Sequence, residues 1–134
     1  MHRPSSPHEL VDATTAPSRA AASGGTDPVS VSVVMPILNE ERHLEEAVAA
    51  VLGQDHEGPL EVILALGPSR DRTDEIAARL SAADPRVRTV PNPTGRTPSA
   101  LNAAIAASGA DIIVRVDGHG VLDRDYVRTA VSLL

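Results

Sequence analysis

Asp117 and His119 are the residues whose types and spacing point most directly to chemistry. They close the run "IIVRVDGHG", Ile112 to Gly120, where an apolar stretch ends in an acid, a glycine, a histidine and a second glycine. Two residues apart on an extended segment, their side chains point the same way. A carboxylate oxygen and an imidazole nitrogen could then reach one divalent ion, a mixed donor set that suits Mn²⁺ better than Ca²⁺ or Mg²⁺. The alternative is a tight turn, because Asp-Gly followed by glycine is a strong turn signal. Spacing alone leaves both readings open.

Two other stretches carry polar groups of interest. In "MPILNE", Met35 to Glu40, the loop backbone and an acid could cradle a base or ribose; equally, Pro36 could end a strand while Asn39 and Glu40 cap a helix. "GPSRDRT", Gly67 to Thr73, reads as a strand-to-helix turn. Arg70, Arg72 and Arg96 are cations that could meet phosphate, or could be solvated surface charge.

The elements that must position these residues follow from hydrophobic period. Strands are expected at Val29–Met35, Leu60–Leu66, Arg86–Val90 and Asp111–Val116, each short, apolar and rich in Val, Ile and Leu. Helices are expected between them: from an Asn39 cap to Gly53, over Asp71–Ala83, and from a Thr97 cap with Pro98 in the first helical position. Leu101, Ala104, Ile105 and Ser108 should line the inner face of the third. A last helix starts at Asp123 or Arg124 and still runs at Leu134. Strict alternation implies an α/β fold, a Rossmann-like parallel sheet with alternating helices. Ligands of such sheets bind outside the carboxyl ends of the strands, and all the polar candidates fall there.

Composition narrows the partners. A formal net charge of -6 over 134 residues, with no basic stripe, argues against nucleic acid. A single aromatic residue, Tyr126, leaves the core to Val, Ile, Leu and Ala. There is no cysteine, so disulfides and thiolate metal sites are excluded. No stretch approaches a membrane span or the apolar core of a signal peptide, which predicts a cytoplasmic chain. Residues 1–28, rich in Pro, Ser, Thr, Ala and Gly, read as a disordered leader, and residues 29–134 as one domain.

Taken together, "VSVVMPILNEERHLEEAVAAVLGQ", "EVILALGPSRDRTDEIAARL" and "TGRTPSALNAAIAASGADIIVRVDGH" resemble, in order and spacing, the donor-binding half of family 2 glycosyltransferases. The combination "VRVDGH" is most similar to exopolysaccharide transferases of the succinoglycan-biosynthesis type. The resemblance implies a GT-A fold, here a C-terminally incomplete domain, and a nucleotide-diphosphate sugar as donor. It implies metal-assisted, inverting transfer to a polysaccharide or lipid-linked acceptor. In the family a strand-end Asp-x-Asp holds a divalent metal, Mn²⁺ or Mg²⁺, against the donor diphosphate. Asp117 matches its first acid and His119 stands at the last. Pro36, Asn39, Glu40, Gly67, Ser69, Arg96 and Asp117 fall at donor-binding positions. Leu66 and Gly67 depart from the family's acidic pair, which bears on recognition of the base. The catalytic base is expected beyond Leu134, and membrane association, at the inner face, only through segments not in this sequence. A non-catalytic module that binds a nucleotide sugar or a partner chain is the alternative.

Overall fold

Aliphatic and β-branched runs form the strands of one sheet, and amphipathic segments between them form the helices. The structure, a computed structural model, describes residues 9–12, 29–117 and 122–133. The elements are β1 (Glu9–Asp12), β2 (Val31–Ile37), α1 (Leu44–Leu52), β3 (Leu60–Leu66), α2 (Thr73–Ala83), β4 (Val87–Pro91), α3 (Thr97–Ala107), β5 (Ile112–Arg115) and α4 (Tyr126–Ser132). The strands lie in the order β1-β5-β2-β3-β4, and every pair is parallel.

The pleat sorts the core into two layers. Val31, Val33, Met35 and Ile37 of β2 point to one face. There they meet Leu44 and Val48 of α1, Ala77 of α2, and Val127 and Ala130 of α4. Val34 points to the other face, with Ile63, Ile113 and Ala104 of α3. Leu101 and Ile105 pack against that second cluster and Ser108 is buried beside it, as the helical spacing predicts. Ser32, also buried, is satisfied by hydroxyl contact with Ser108 at 2.7 Å and by donating to Glu61.

The chain runs outward through β2, β3 and β4, then returns by α3 to set β5 on the other side of β2. The strand order therefore reverses between β2 and β5, the position where a parallel sheet opens a crevice for ligand.

Several boundaries differ from the sequence expectation. β2 runs two residues further, through Pro36, because its register with β3 continues to Ile37↔Leu66. The Val31 amide donates to the β3 side, to Pro59 O, so by alternation Pro36's missing donor faces β5. Pairing with β5 has ended by then, at Val34↔Arg115, so the proline interrupts no ladder bond. α1 begins at Leu44 rather than after Asn39, with His43 in the cap position. Within the segment expected to be disordered, Glu9–Asp12 forms β1, in register Glu9↔Ile112. An uncovered β5 edge offers a row of backbone groups that any short extended segment can satisfy. The rest of that segment lies outside the described residues. Among the described residues, no helix is long and apolar enough to cross a membrane.

Candidate functional site

The carboxyl ends of β2, β3, β4 and β5 meet at one edge of the sheet, and the connections that follow β2, β3 and β4 are stitched together there. Asn39 has a positive φ of 53°, a backbone conformation that asparagine tolerates when its side chain is locally bonded. Its Oδ1 accepts from the Arg70 amide at 2.7 Å, and its own amide donates to Ser69 Oγ at 2.8 Å. The Glu40 amide donates to buried Thr73 Oγ1 at 2.8 Å. Asp71 accepts from the Thr73 amide at 2.9 Å, from the Thr73 hydroxyl, and from the Glu41 amide at 3.3 Å. The Thr73 hydroxyl above all holds the Asp71 carboxyl below the usual carboxylate range. Asn39 thus ties the β2–α1 connection to the β3–α2 connection and does not cap α1.

The third connection joins at two glycines. The Gly67 amide donates to Ile37 O at 2.8 Å, and the Asn92 amide to Leu66 O at 2.9 Å. A Cβ at Gly67 would stand 3.1 Å from Gly95 Cα and 3.2 Å from Ile37 O. Gly95 itself has φ +71°, the left-handed conformation that favours glycine. Position 67 is thus a close backbone approach, where a side chain of any kind would force its neighbours to shift. Asn92, only 3% exposed, holds its loop by donating Nδ2 to Arg96 O at 3.1 Å.

A cavity of about 200 Å³ opens above this seam. Pro36, Ile37, Leu38 and Glu40 form one wall, Asn92, Gly95 and Thr97 a second, and Asp117 closes it from the end of β5. The Val116 amide, bonded to Val34 O at 3.0 Å, fixes the strand just before Asp117. The Asp117 side chain is 54% exposed, and Arg115 Nη2 lies 3.4 Å from its Oδ1. Glu40 is far less exposed, with His43 Nδ1 at 3.5 Å. A larger cavity of about 290 Å³, beside residues 55–58 and α4, contains none of the residues singled out from sequence.

Of the expected donor-binding residues, Pro36, Glu40 and Asp117 meet around the cavity. Gly67 lies in the seam, and Asn39 and Ser69 bond to each other across it. Arg96 sits in the cap position of α3, exposed, with no ion pair among the described residues. Arg72 is committed to Glu75 at 2.8 Å, which raises its pKa further. His119 lies outside the described residues. Leu38, Asn92, Gly95 and Thr97 were not singled out as site residues from sequence. For Asn92 and Gly95 the signal was the loop "NPTGR", whose glycine and proline marked a turn but not its partner.

A metal fits this donor chemistry. Asp117 offers an accessible carboxylate at a cavity of mixed polar and apolar lining with room for further oxygen ligands. Among the described residues no three His, Asp or Glu side chains cluster as a complete metal site, so any ion here would draw most of its ligands from elsewhere.

Comparison with known proteins agrees with this architecture. Residues 32–134 match glycosyl transferase family 2, and the chain belongs to that family. It is 37% identical over 102 residues to the succinoglycan biosynthesis protein ExoA of Rhizobium meliloti, covering 75% of this chain and 31% of that protein. Among solved structures it is similar to the mannosyltransferase PcManGT from Pyrobaculum calidifontis in complex with GDP-Man and Mn²⁺, with a TM-score of 0.70 and 26% identity. That match covers 86% of this chain and 34% of the other. A second neighbour is glucosyl-3-phosphoglycerate synthase from Mycobacterium tuberculosis with Mn²⁺, UDP and phosphoglyceric acid. There the TM-score is 0.51 at 30% identity, over 67% of this chain and 33% of that one. The fold is GT-A, and the chain spans about a third of the length of these relatives.

Proposed function

We propose that this chain is the donor-binding part of a metal-assisted, inverting glycosyltransferase that acts on a polysaccharide or lipid-linked acceptor. The observation that carries the reading is the placement of Asp117. It stands at the reversal of strand order, on a cavity shared with Glu40 and Thr97, in a chain of glycosyl transferase family 2. The complexes of PcManGT with GDP-Man and Mn²⁺ and of the mycobacterial synthase with Mn²⁺ and UDP support a nucleotide-diphosphate donor and a divalent ion. The similarity to a succinoglycan biosynthesis protein supports a polysaccharide product.

In this reading Asp117, with His119 assigned on sequence position alone, would hold Mn²⁺ or Mg²⁺. The ion, when bound, supplies positive charge that stabilises the departing nucleoside diphosphate. The chain's own part is positioning. The wall of Pro36, Ile37 and Leu38 gives an apolar surface for a nucleobase, while the Glu40 carboxylate and the seam backbone orient the ribose. Arg96, beside Thr97 at the start of α3, contributes a cation within the donor's phosphate region. Position 67 offers no carboxylate to the base, so base selection falls to the loop backbone.

Calorimetric titration with GDP and with UDP, each with and without Mn²⁺, tests this. The parent should bind at least one nucleotide more tightly with Mn²⁺. Asp117→Asn, which removes both a charge and a ligand, should reduce that gain by roughly 10- to 100-fold and leave the thermal midpoint nearly unchanged, since the side chain is solvent-facing. An unaltered gain in Asp117→Asn would return "DGHG" to the status of a turn.

A further inference from the structure

We propose that Thr73, the buried first residue of α2, is a positioning residue for Glu40, and that its hydroxyl sets how strongly the site distinguishes a ribonucleotide from its deoxy forms. The inference rests on the assignment of the Glu40 carboxylate to the ribose.

Glu40 lines the cavity with a side chain that is 17% exposed. At such a position the direction of the side chain follows the backbone that carries it. That backbone is held on both sides. The Glu40 carbonyl accepts from the His43 amide at 3.0 Å and from the Leu44 amide at 2.9 Å, which ties it to the start of α1. The Glu40 amide donates to Thr73 Oγ1 at 2.8 Å, 33 positions away. The Thr73 hydroxyl gives its own proton to Asp71 Oδ1. With that proton committed, the oxygen presents its lone pairs to the Glu40 amide.

The neighbours of Glu40 are tied to the same turn. The Asn39 amide donates to Ser69 Oγ, Asn39 Oδ1 accepts from the Arg70 amide, and the Glu41 amide donates to Asp71 Oδ2. Within this row Thr73 is the fully buried member, and it holds the peptide that leaves Asn39 at its positive φ. Deleting the hydroxyl leaves the Glu40 amide without this acceptor and frees that peptide to turn. The fraction of molecules with the carboxylate set for a ribose hydroxyl falls, and apparent affinity falls with that fraction. A nucleotide that lacks the hydroxyl has no such contact to lose.

Thr73→Val tests the idea, because it keeps the buried volume and deletes the hydroxyl. The measured quantity is the ratio of affinity for GDP or UDP to that for its 2′-deoxy and 3′-deoxy forms, by calorimetry with Mn²⁺ on the full chain. The parent should favour the ribonucleotide over one deoxy form by roughly tenfold, the effect of a hydrogen bond to a charged group. Glu40→Ala should bring that ratio close to one. Thr73→Val should bring it to about twofold, with affinity for the deoxy form near the parent's, and should add nothing in the Glu40→Ala background. Thr73→Ser keeps the hydroxyl but loses a buried methyl, so it should lower the thermal midpoint and retain the parent's ratio. Asp71→Ala, at an exposed position, removes the acceptor of the hydroxyl proton. It should give an intermediate ratio, and it decides the matter in the same way if the valine variant does not fold. A Thr73→Val ratio equal to the parent's, or a Thr73→Ser ratio as low as that of Thr73→Val, overturns the positioning role while sparing the assignment of Glu40. A parent ratio of one overturns both.

Discussion

At the scale of single residues, the site is held by side chains that serve backbone rather than ligand. Asp71 is the clearest case: exposed, yet bonded to Thr73 twice and to the Glu41 amide. Its pKa is lowered from the ordinary 3.8, first by the Thr73 hydroxyl. A carboxyl depressed in the folded state adds stability above its unfolded pKa, and that contribution is lost as pH falls through the folded value. Asp71→Asn should therefore melt below the parent between pH 5 and 7, by a constant gap. The gap should begin to narrow near pH 3.8, where the unfolded carboxyl starts to take up its proton, and close as pH falls through the lower folded value. Thermal melts of both proteins across that range check it; a gap that persists undiminished at the acid end would show that charge is not what Asp71 contributes.

At the scale of elements, the edge of β5 is the most consequential departure from the sequence reading. The Ile112 amide donates to Ser30 O, just ahead of β2, and the Val116 amide to Val34 O, so by alternation the Ile113 and Arg115 amides face β1. Removing residues 1–28 should speed hydrogen exchange at those two amides by roughly fivefold or more, the effect of about 1 kcal/mol per backbone hydrogen bond. Amides in the centre of the sheet, such as that of Leu64, should keep their protection. Equal exchange at Ile113 before and after the deletion would mean that β1 adds nothing to the edge. The helix starts carry the same lesson. Asn39 reads from sequence as a helix cap, but its amide oxygen is taken by the Arg70 backbone, and α1 starts later.

At the scale of the whole molecule, three connections from different parts of the chain converge beneath the cavity. Gly67 marks the point of contact, with Gly95 Cα 3.1 Å and Ile37 O 3.2 Å from where a Cβ would stand, and the Leu38 side chain also close. Backbone on two sides cannot rotate away as a flexible side chain would. Gly67→Ala should lower the thermal midpoint by roughly 4 °C or more, the scale of overpacking a tight site in a domain of this size. It should also weaken nucleotide binding, because Leu38 and Gly95 both line the cavity. Gly109→Ala is the matching control: a Cβ there meets nothing within 4 Å, and the midpoint should stay near the parent's.

The order of elements, the parallel sheet and the edge that carries the polar loops were all legible in the sequence. Hydrophobic period depends only on neighbours along the chain, and alternation of strand and helix leaves few topologies open. The prominence of Asp117 was legible too, because an acid at the end of an apolar run stands out locally. What the tertiary structure alone decided was pairing across distance. Nothing within "PILNE" shows that Asn39 would bond to Arg70, 31 positions on, nor within "GQD" that Gln54 would cap a helix 73 positions away. The same holds for Glu9–Asp12, four residues too few to form a strand by themselves, which pair where β5 presents an open edge. These groups satisfy donors and acceptors that become neighbours only after the sheet has formed, and no periodicity along the chain records that.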